Sequence, residues 1–250
     1  MSPSIVVDGV TKEFSIRSTR TLKQRVVKRL RGEEVVHSFR AIEDVSFDVE
    51  DGESIALMGL NGSGKSTLLK LISGVMRPDQ GRVLTRGRIA GLIGLGAGFH
   101  PQLSGRANVY LNGAILGMTE AEINAKFTYI IDFAEVGRFL DTEVGHYSSG
   151  MQARLGFAVA IHTDCDIFLI DETLAVGDRP FKRKCLKRIN DLRREGRTIF
   201  YVSHNTNQVE RLCKRALVLE QGKLGFDGPV HDAIRHLHYD EDEDPDAGEV

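Results

Sequence analysis

The sequence predicts an α/β domain: a mostly parallel sheet covered on both faces, with a block of helices inserted between its two halves. Three observations carry this. Short, continuously apolar runs near 54–58, 165–170 and 198–203 have the length and composition of fully buried strands. Amphipathic helical patterns separate them, as crossover connections between parallel strands require. A glycine loop at 59–64 joins the first run to a helix expected from about Lys65.

The elements follow in order. Residues 4–14 read as a strand and a turn. Residues 41–58 alternate and then become continuously apolar, which predicts a hairpin turning at Asp51-Gly52 and a buried strand from Ser54 to Met58. The glycine-rich stretch 87–99 reads as a strand entering a loop. Residues 106–160 are mostly helical in pattern; Thr119 and Glu122 form a capping box ahead of Ile123, Phe127, Ile130 and Ala134. Phe181, Cys185, Ile189 and Leu192 mark another helix, and Gln221-Gly222 a hairpin turn.

Two segments stand apart by charge. Arg17, Arg20, Lys23, Arg25, Lys28, Arg29 and Arg31 occur without an intervening acid, and Leu22, Val26 and Leu30 share one helical face. That segment is either a solvated helix or a contact for anionic lipid or a membrane-bound partner. The residues from Asp240 onward are acidic and almost free of apolar side chains, the composition of a disordered tail.

Gross composition narrows the class. The 250 residues are 41% hydrophobic and 27% charged, enough for a real core. The formal net charge of −2 gives no global argument for nucleic acid. Cys165, Cys185 and Cys213 are odd in number and lack metal-ligand spacing, so buried reduced thiols in a reducing compartment are expected. No signal-peptide pattern opens the chain, and no apolar run approaches the length of a membrane span.

Chemistry concentrates at three places. Gly59-Leu-Asn61-Gly62-Ser63-Gly64-Lys65-Ser66, followed by Thr67, is a complete phosphate-binding loop. A triphosphate needs many donors at close range with little steric bulk, and glycines let backbone N–H groups turn inward. Lys65 supplies charge to the β- and γ-phosphates, Ser66 can ligate Mg²⁺, and the helix that follows aims its N-terminus at the anion. ATP and Mg²⁺ are therefore the expected ligands. The run Asp166-Ile-Phe-Leu-Ile-Asp171-Glu172 brings two carboxylates to the C-terminal end of a buried strand, where open α/β sheets bind ligands. Asp171 is placed to hold Mg²⁺ and Glu172 to orient or deprotonate water. The third place is Tyr147-Ser148-Ser149-Gly150-Met151-Gln152-Ala153-Arg154, where Ser148 can cap an apolar helix.

With that third stretch the sequence resembles the ATP-binding cassette (ABC) ATPases, over residues 1 to about 230. Their Leu-Ser-Gly-Gly-Gln signature aligns with Tyr147 to Met151, and Ser148 and Gly150 keep the functional residue types. The resemblance implies a phosphate-loop fold with an N-terminal antiparallel β-subdomain. It divides residues 1–235 into a catalytic core, 1–93 and 161–235, and a helical subdomain, 94–160, leaving 236–250 as the tail. It implies that Ser148 and Gly150 cap the γ-phosphate held by a second copy. Thr198-Ile-Phe-Tyr-Val-Ser-His204 matches the strand ending in the switch histidine, and Leu174 to Asp178 the loop that crosses the dimer interface. Glu172, His204 and Lys65 become the catalytic set. Phe14, or alternatively Phe39, takes the place of the ring that stacks on adenine. The family's glutamine between sheet and helical lobe is replaced here by Leu95, and Gln102 lies too far along to substitute for it.

Gly94-Leu-Gly-Ala-Gly-Phe-His-Pro-Gln-Leu-Ser-Gly105, with the Tyr-Ser-Ser-Gly-Met signature, looks like the ATPase subunits of polysaccharide exporters that serve O-antigen, capsule, teichoic acid or mycobacterial galactan. That implies a homodimer peripheral to the cytoplasmic face of the cell membrane, a separate membrane-spanning permease, a lipid-linked polysaccharide as cargo, and no nucleic acid. Only the acidic tail follows residue 235, so no glycan-reading C-terminal domain is expected.

Overall fold

The computed structural model describes residues 2–17, 36–92, 98–171 and 177–237. Most of the basic segment, the Leu95 position, Glu172, Leu174 to Val176 and the acidic tail lie outside the described residues.

β1 (Pro3–Arg17), β2 (Val36–Glu50) and β4 (Gln80–Thr85) form an antiparallel sheet in the order β2-β1-β4. A second, six-stranded sheet runs β5 (Ile89–Gly91), β6 (Ile167–Ile170), β7 (Thr198–Val202), β3 (Ser54–Met58), β8 (Arg215–Glu220), β9 (Lys223–Pro229). Its strands are parallel except for β9, which returns antiparallel to β8 through Gln221 and Gly222, both at positive φ.

The hairpin expected at Asp51-Gly52 is a turn, but not a hairpin. β2 pairs with β1, while β3 crosses into the other sheet and is flanked on both edges by β7 and β8. A strand with both edges occupied by parallel neighbours has none left for β2. Gly52, at φ 74°, redirects the chain, and its N–H donates to Thr198 Oγ1 at 2.9 Å.

The central strands are apolar throughout because alternate residues serve different cores. Ala56, Met58, Phe168, Ile170 and Tyr201 face α4 (Ser149–Ile161), α5 (Arg179–Arg194), α6 (Thr206–Leu212) and α7 (Val230–His236). Ile55, Leu57, Leu169, Phe200 and Val202 face α1 (Lys65–Ile72) and the apolar side of the antiparallel sheet. A third core joins α2 (Gly105–Ile115), α3 (Glu120–Ala134) and α4. α4 belongs to two cores at once: Phe157, Ala160 and Ile161 pack toward the sheet, and Leu155, Ala158 and Val159 toward the helical lobe. That is why Leu155 to Ile161 are buried without a break and no amphipathic stripe is visible.

α5 buries Phe181, Cys185, Ile189 and Leu192, as its spacing predicts. The three cysteines are free and buried, and burial pushes the Cys165 thiol up to about 11 and those of Cys185 and Cys213 to about 12. No described helix is long and apolar enough to cross a membrane.

The capping box at the start of α3 forms with both bonds present. The Thr119 N–H, the Arg88 guanidinium and the Thr119 hydroxyl together hold the Glu122 carboxyl down at about 2. A depressed carboxyl stabilises the fold above its ordinary pKa and loses that contribution as pH falls toward the depressed one. Thermal melts of wild type between about pH 4.5 and pH 2 should therefore decline more steeply than those of Glu122→Gln. Parallel curves for the two proteins would contradict this account of the cap.

Candidate functional site

The order β6-β7-β3 sets the C-terminal ends of three parallel strands side by side. β3 opens into the phosphate loop, β6 ends at Asp171, and β7 leads through Ser203 to His204. Three stretches far apart in sequence thus meet at one sheet edge.

The loop's geometry depends on glycine. Gly59, Gly62 and Gly64 have φ of 140°, 82° and 108°. A Cβ on Gly59 would lie 2.3 Å from the Leu219 carbonyl oxygen, and one on Gly64 2.4 Å from that of Ala41. The loop is therefore wedged between β8 and β2, and the Gly222 N–H ties it further by donating to the Ser63 carbonyl at 2.9 Å. Asn61 and Gly62 stand exposed at its tip.

Lys65 is only 7% exposed, and its ammonium donates to the carbonyls of Gly59 at 2.7 Å and Leu60 at 3.0 Å. Burial pushes its pKa below the ordinary lysine range, against the pull of the Asp171 carboxylate. Burial likewise raises Asp171, while Lys65 and Lys70 act the other way. The opposed shifts put a cation and an anion together in a poorly hydrated place.

Two further features suit an anion with its metal. Gly64 provides no side-chain cap for α1, and the first turn holds no acid, so the helix's leading N–H groups lack a side-chain partner. The Ser63 hydroxyl is buried without a hydrogen-bond partner. Ser66 is exposed at the start of α1, and Thr67, next along, is half-buried. No described cluster of three or more His, Cys, Asp or Glu could hold a metal. A divalent ion here would take most of its ligands from phosphate and water.

Ser148 caps α4, accepting the Met151 N–H at 3.2 Å. Tyr147, in the signature's first position, is buried and donates its hydroxyl to the Phe139 carbonyl at 2.6 Å. Gly150 is unlike the loop glycines: a Cβ there would meet nothing nearer than Ser148 Oγ at 3.8 Å. Among the described residues nothing requires glycine at that position.

Phe14 and Phe39 are opposite one another in the β1–β2 register and stack, with centroids 5.7 Å apart. Phe39 is 49% exposed, and the Lys12 ammonium lies 5.8 Å from the Phe14 ring. The two alternatives for an adenine platform are thus a single pair of rings. β2 continues from Phe39 to Ala41, whose carbonyl bounds the loop at Gly64. Asp178 caps α5 by accepting the Phe181 N–H at 3.2 Å, and its carboxylate also accepts from Arg154 at 2.8 Å.

Two residues with structural weight carry little local signal. Asn108 is fully buried on α2; its amide donates to the carbonyls of His100, Leu103 and Ser104, and its oxygen accepts the His100 N–H. It fixes the loop that follows the Leu95 region. A polar residue on a buried helical face was the available clue. Arg154 joins Asp178 to Glu135 at the end of α3, and charge spacing along the sequence does not reveal that meeting.

Comparison with known proteins bears on this geometry. The family described as ABC transporter matches residues 42–175. An O-antigen export system ATP-binding protein, RfbB of Klebsiella pneumoniae, is 44% identical over 232 residues, covering 90% of this chain and 93% of that protein. The teichoic acids export ATP-binding protein TagH of Bacillus cereus is 40% identical over 234 residues, 94% of this chain but 42% of TagH. Among solved structures, a dimeric ATP-binding cassette in a post-hydrolysis state, bound to ADP and Pi, superposes with a TM-score of 0.71 at 21% identity, over 90% of this chain and 98% of that one. The family match over more than half of the chain and the 44% identity to RfbB over 90% of it show that the chain belongs to the ABC transporter family as one of its ATPase cassettes.

Proposed function

We propose that this chain is the ATP-hydrolysing subunit of an exporter that moves a lipid-linked polysaccharide across the cytoplasmic membrane. It works as a homodimer with a separate membrane-spanning permease, peripheral to the membrane's cytoplasmic face. The observation that carries the choice of cargo is the 44% identity, over nearly the full length of both chains, to a protein named for O-antigen export.

Each copy binds ATP on its phosphate loop, with the backbone N–H groups of 59–64, Lys65 and the start of α1 around the phosphates. Ser66 and Asp171 would hold Mg²⁺, which when bound neutralises charge on the β- and γ-phosphates. The stacked pair Phe14 and Phe39 provides the adenine platform. Ser148 and Gly150 complete the site of the other copy. The open space over Gly150 supports this, since a second copy's phosphate can approach the backbone there without meeting a side chain among the described residues. Glu172 orients and deprotonates the attacking water, and His204 holds that arrangement from the end of the neighbouring strand. Residues 1–93 and 161–235 act as the catalytic core, and 94–160 as the lobe that faces the permease.

The test is depletion of the chain in its own cells, followed by mass spectrometry of membrane extracts and of proteins that co-purify with it. Accumulated lipid-linked saccharide and a co-purifying membrane-spanning subunit are expected. Accumulation of a drug, peptide or simple lipid would replace the cargo. Nuclease-sensitive sedimentation with ribosomes or DNA, and none with membranes, would overturn the export reading.

A further inference from the structure

β7 ends at Val202, and only Ser203, His204 and Asn205 separate it from α6. His204 is exposed, so where its ring stands depends on the backbone that carries it. Both of its neighbours are pinned. Ser203 is buried, and its hydroxyl accepts the Asn205 N–H at 3.1 Å. The Asn205 side-chain oxygen accepts the Gln208 N–H at 2.9 Å and so caps α6. The Gln208 side-chain oxygen in turn accepts the Tyr201 hydroxyl at 2.6 Å. Tyr201 is 1% exposed within the sheet, in register with Ala56 of β3 and Ile170 of β6. Burial pushes its phenol above the ordinary range, and a hydrogen bond with Ser203 acts the other way. Hydrogen bonds therefore run from Ser203 to Asn205, on to Gln208 and Tyr201, and back to Ser203, with His204 inside the closed path.

This path departs from the local rule. Asn205-Thr-Asn-Gln208 has the spacing of a capping box, in which the glutamine side chain reaches back to the N–H of the capping residue. Here Ser203 takes that N–H, and the Gln208 oxygen is left to bond the strand. A capping box would tie the helix only to itself, whereas this arrangement ties helix to strand across the histidine. Phenylalanine at 201 would fill the same core, so the hydroxyl adds only the links to Gln208 and Ser203. Local rules are broken chiefly where function asks for it.

We propose that Tyr201 and Gln208 are positioning residues that hold His204 toward the γ-phosphate of bound ATP. They act through the short loop of Ser203, His204 and Asn205, and His204 alone of this group meets the nucleotide. This rests on the role given to His204 above. It adds that one strand residue and one helix residue set the angle at which the histidine meets the phosphate.

The test is ATP hydrolysis by the full chain, with kcat and KM measured alongside thermal melts. Tyr201→Phe and Gln208→Met remove the same bond from its two sides. Each should lower kcat about tenfold and leave KM within about twofold, because a small misplacement of a catalytic group costs rate rather than ground-state binding. Gln208→Glu keeps an acceptor oxygen and should recover most of the rate lost in Gln208→Met. His204→Ala should be slower still, and adding Tyr201→Phe to it should cost less than about twofold more, since the two changes remove one function. A merely structural role for Tyr201 would multiply the two losses instead. Gln208 is half-buried. Its two variants decide the matter if Tyr201→Phe does not fold or His204→Ala is too slow to measure. Wild-type kcat in Tyr201→Phe and Gln208→Met would overturn the proposal, as would multiplied losses in the double variant, no recovery in Gln208→Glu, or a loss that only tracks the fraction unfolded. Wild-type turnover in His204→Ala sinks the role given to His204, and this inference with it. An inactive His204→Ala with indifferent Tyr201 and Gln208 variants sinks only this inference.

Discussion

Glu172→Gln is expected to slow ATP hydrolysis by about a thousandfold, within the range a positioned general base supplies, while ATP affinity stays within about threefold of wild type. The amide keeps the size and one hydrogen-bond acceptor of the carboxylate, so the site's shape survives. It cannot accept a proton from water, so the chemical step stalls. Removing a negative charge beside the triphosphate also eases the approach of two loaded copies, and a closed ATP-bound dimer should accumulate. Phosphate release measures the first effect, and light scattering with and without ATP the second. Turnover near the wild-type rate would remove Glu172 from its role. A variant that is inactive yet monomeric in saturating ATP would leave hydrolysis in place but sink the shared site built from Ser148 and Gly150.

How much of this was legible in the sequence depends on the range of the interaction. The phosphate loop was fully legible because its requirements are local: glycines at positive φ, a strand before and a helix after. The capping box and the buried stripe of α5 were legible for the same reason. The turn at Asp51-Gly52 was visible, but which sheet its second strand joins is decided by β7 and β8, roughly 150 residues away. α4 announced itself as apolar but not as shared, because burial from two sides erases periodicity. Phe14 and Phe39 were competing candidates in the sequence, and only the β1–β2 register makes them one stacked pair. The fork of Arg154 was invisible for a different reason. Its partners lie 19 and 24 residues away, on charged positions that read as ordinary surface.

Lys65→Met should lower ATP affinity by at least about a hundredfold, the size expected from losing two charge-assisted hydrogen bonds to phosphate. In this structure the ammonium is occupied: it donates to the carbonyls of Gly59 and Leu60, inside the loop the phosphates must enter. Binding exchanges those neutral acceptors for charged ones, which offsets the penalty that burial places on the ammonium. The empty protein also loses by the change. Methionine takes a cation from the neighbouring Asp171 carboxylate and a donor from the Gly59 and Leu60 carbonyls, and removing one side of a buried charge contact destabilises. Without nucleotide, the variant should therefore melt below the wild-type temperature. With millimolar ATP, wild type should gain stability through binding to the native state, and the variant should gain almost none. An undiminished ATP-dependent rise in the variant would overturn the affinity argument. Lys65 would then be a structural tether of the loop rather than its phosphate contact.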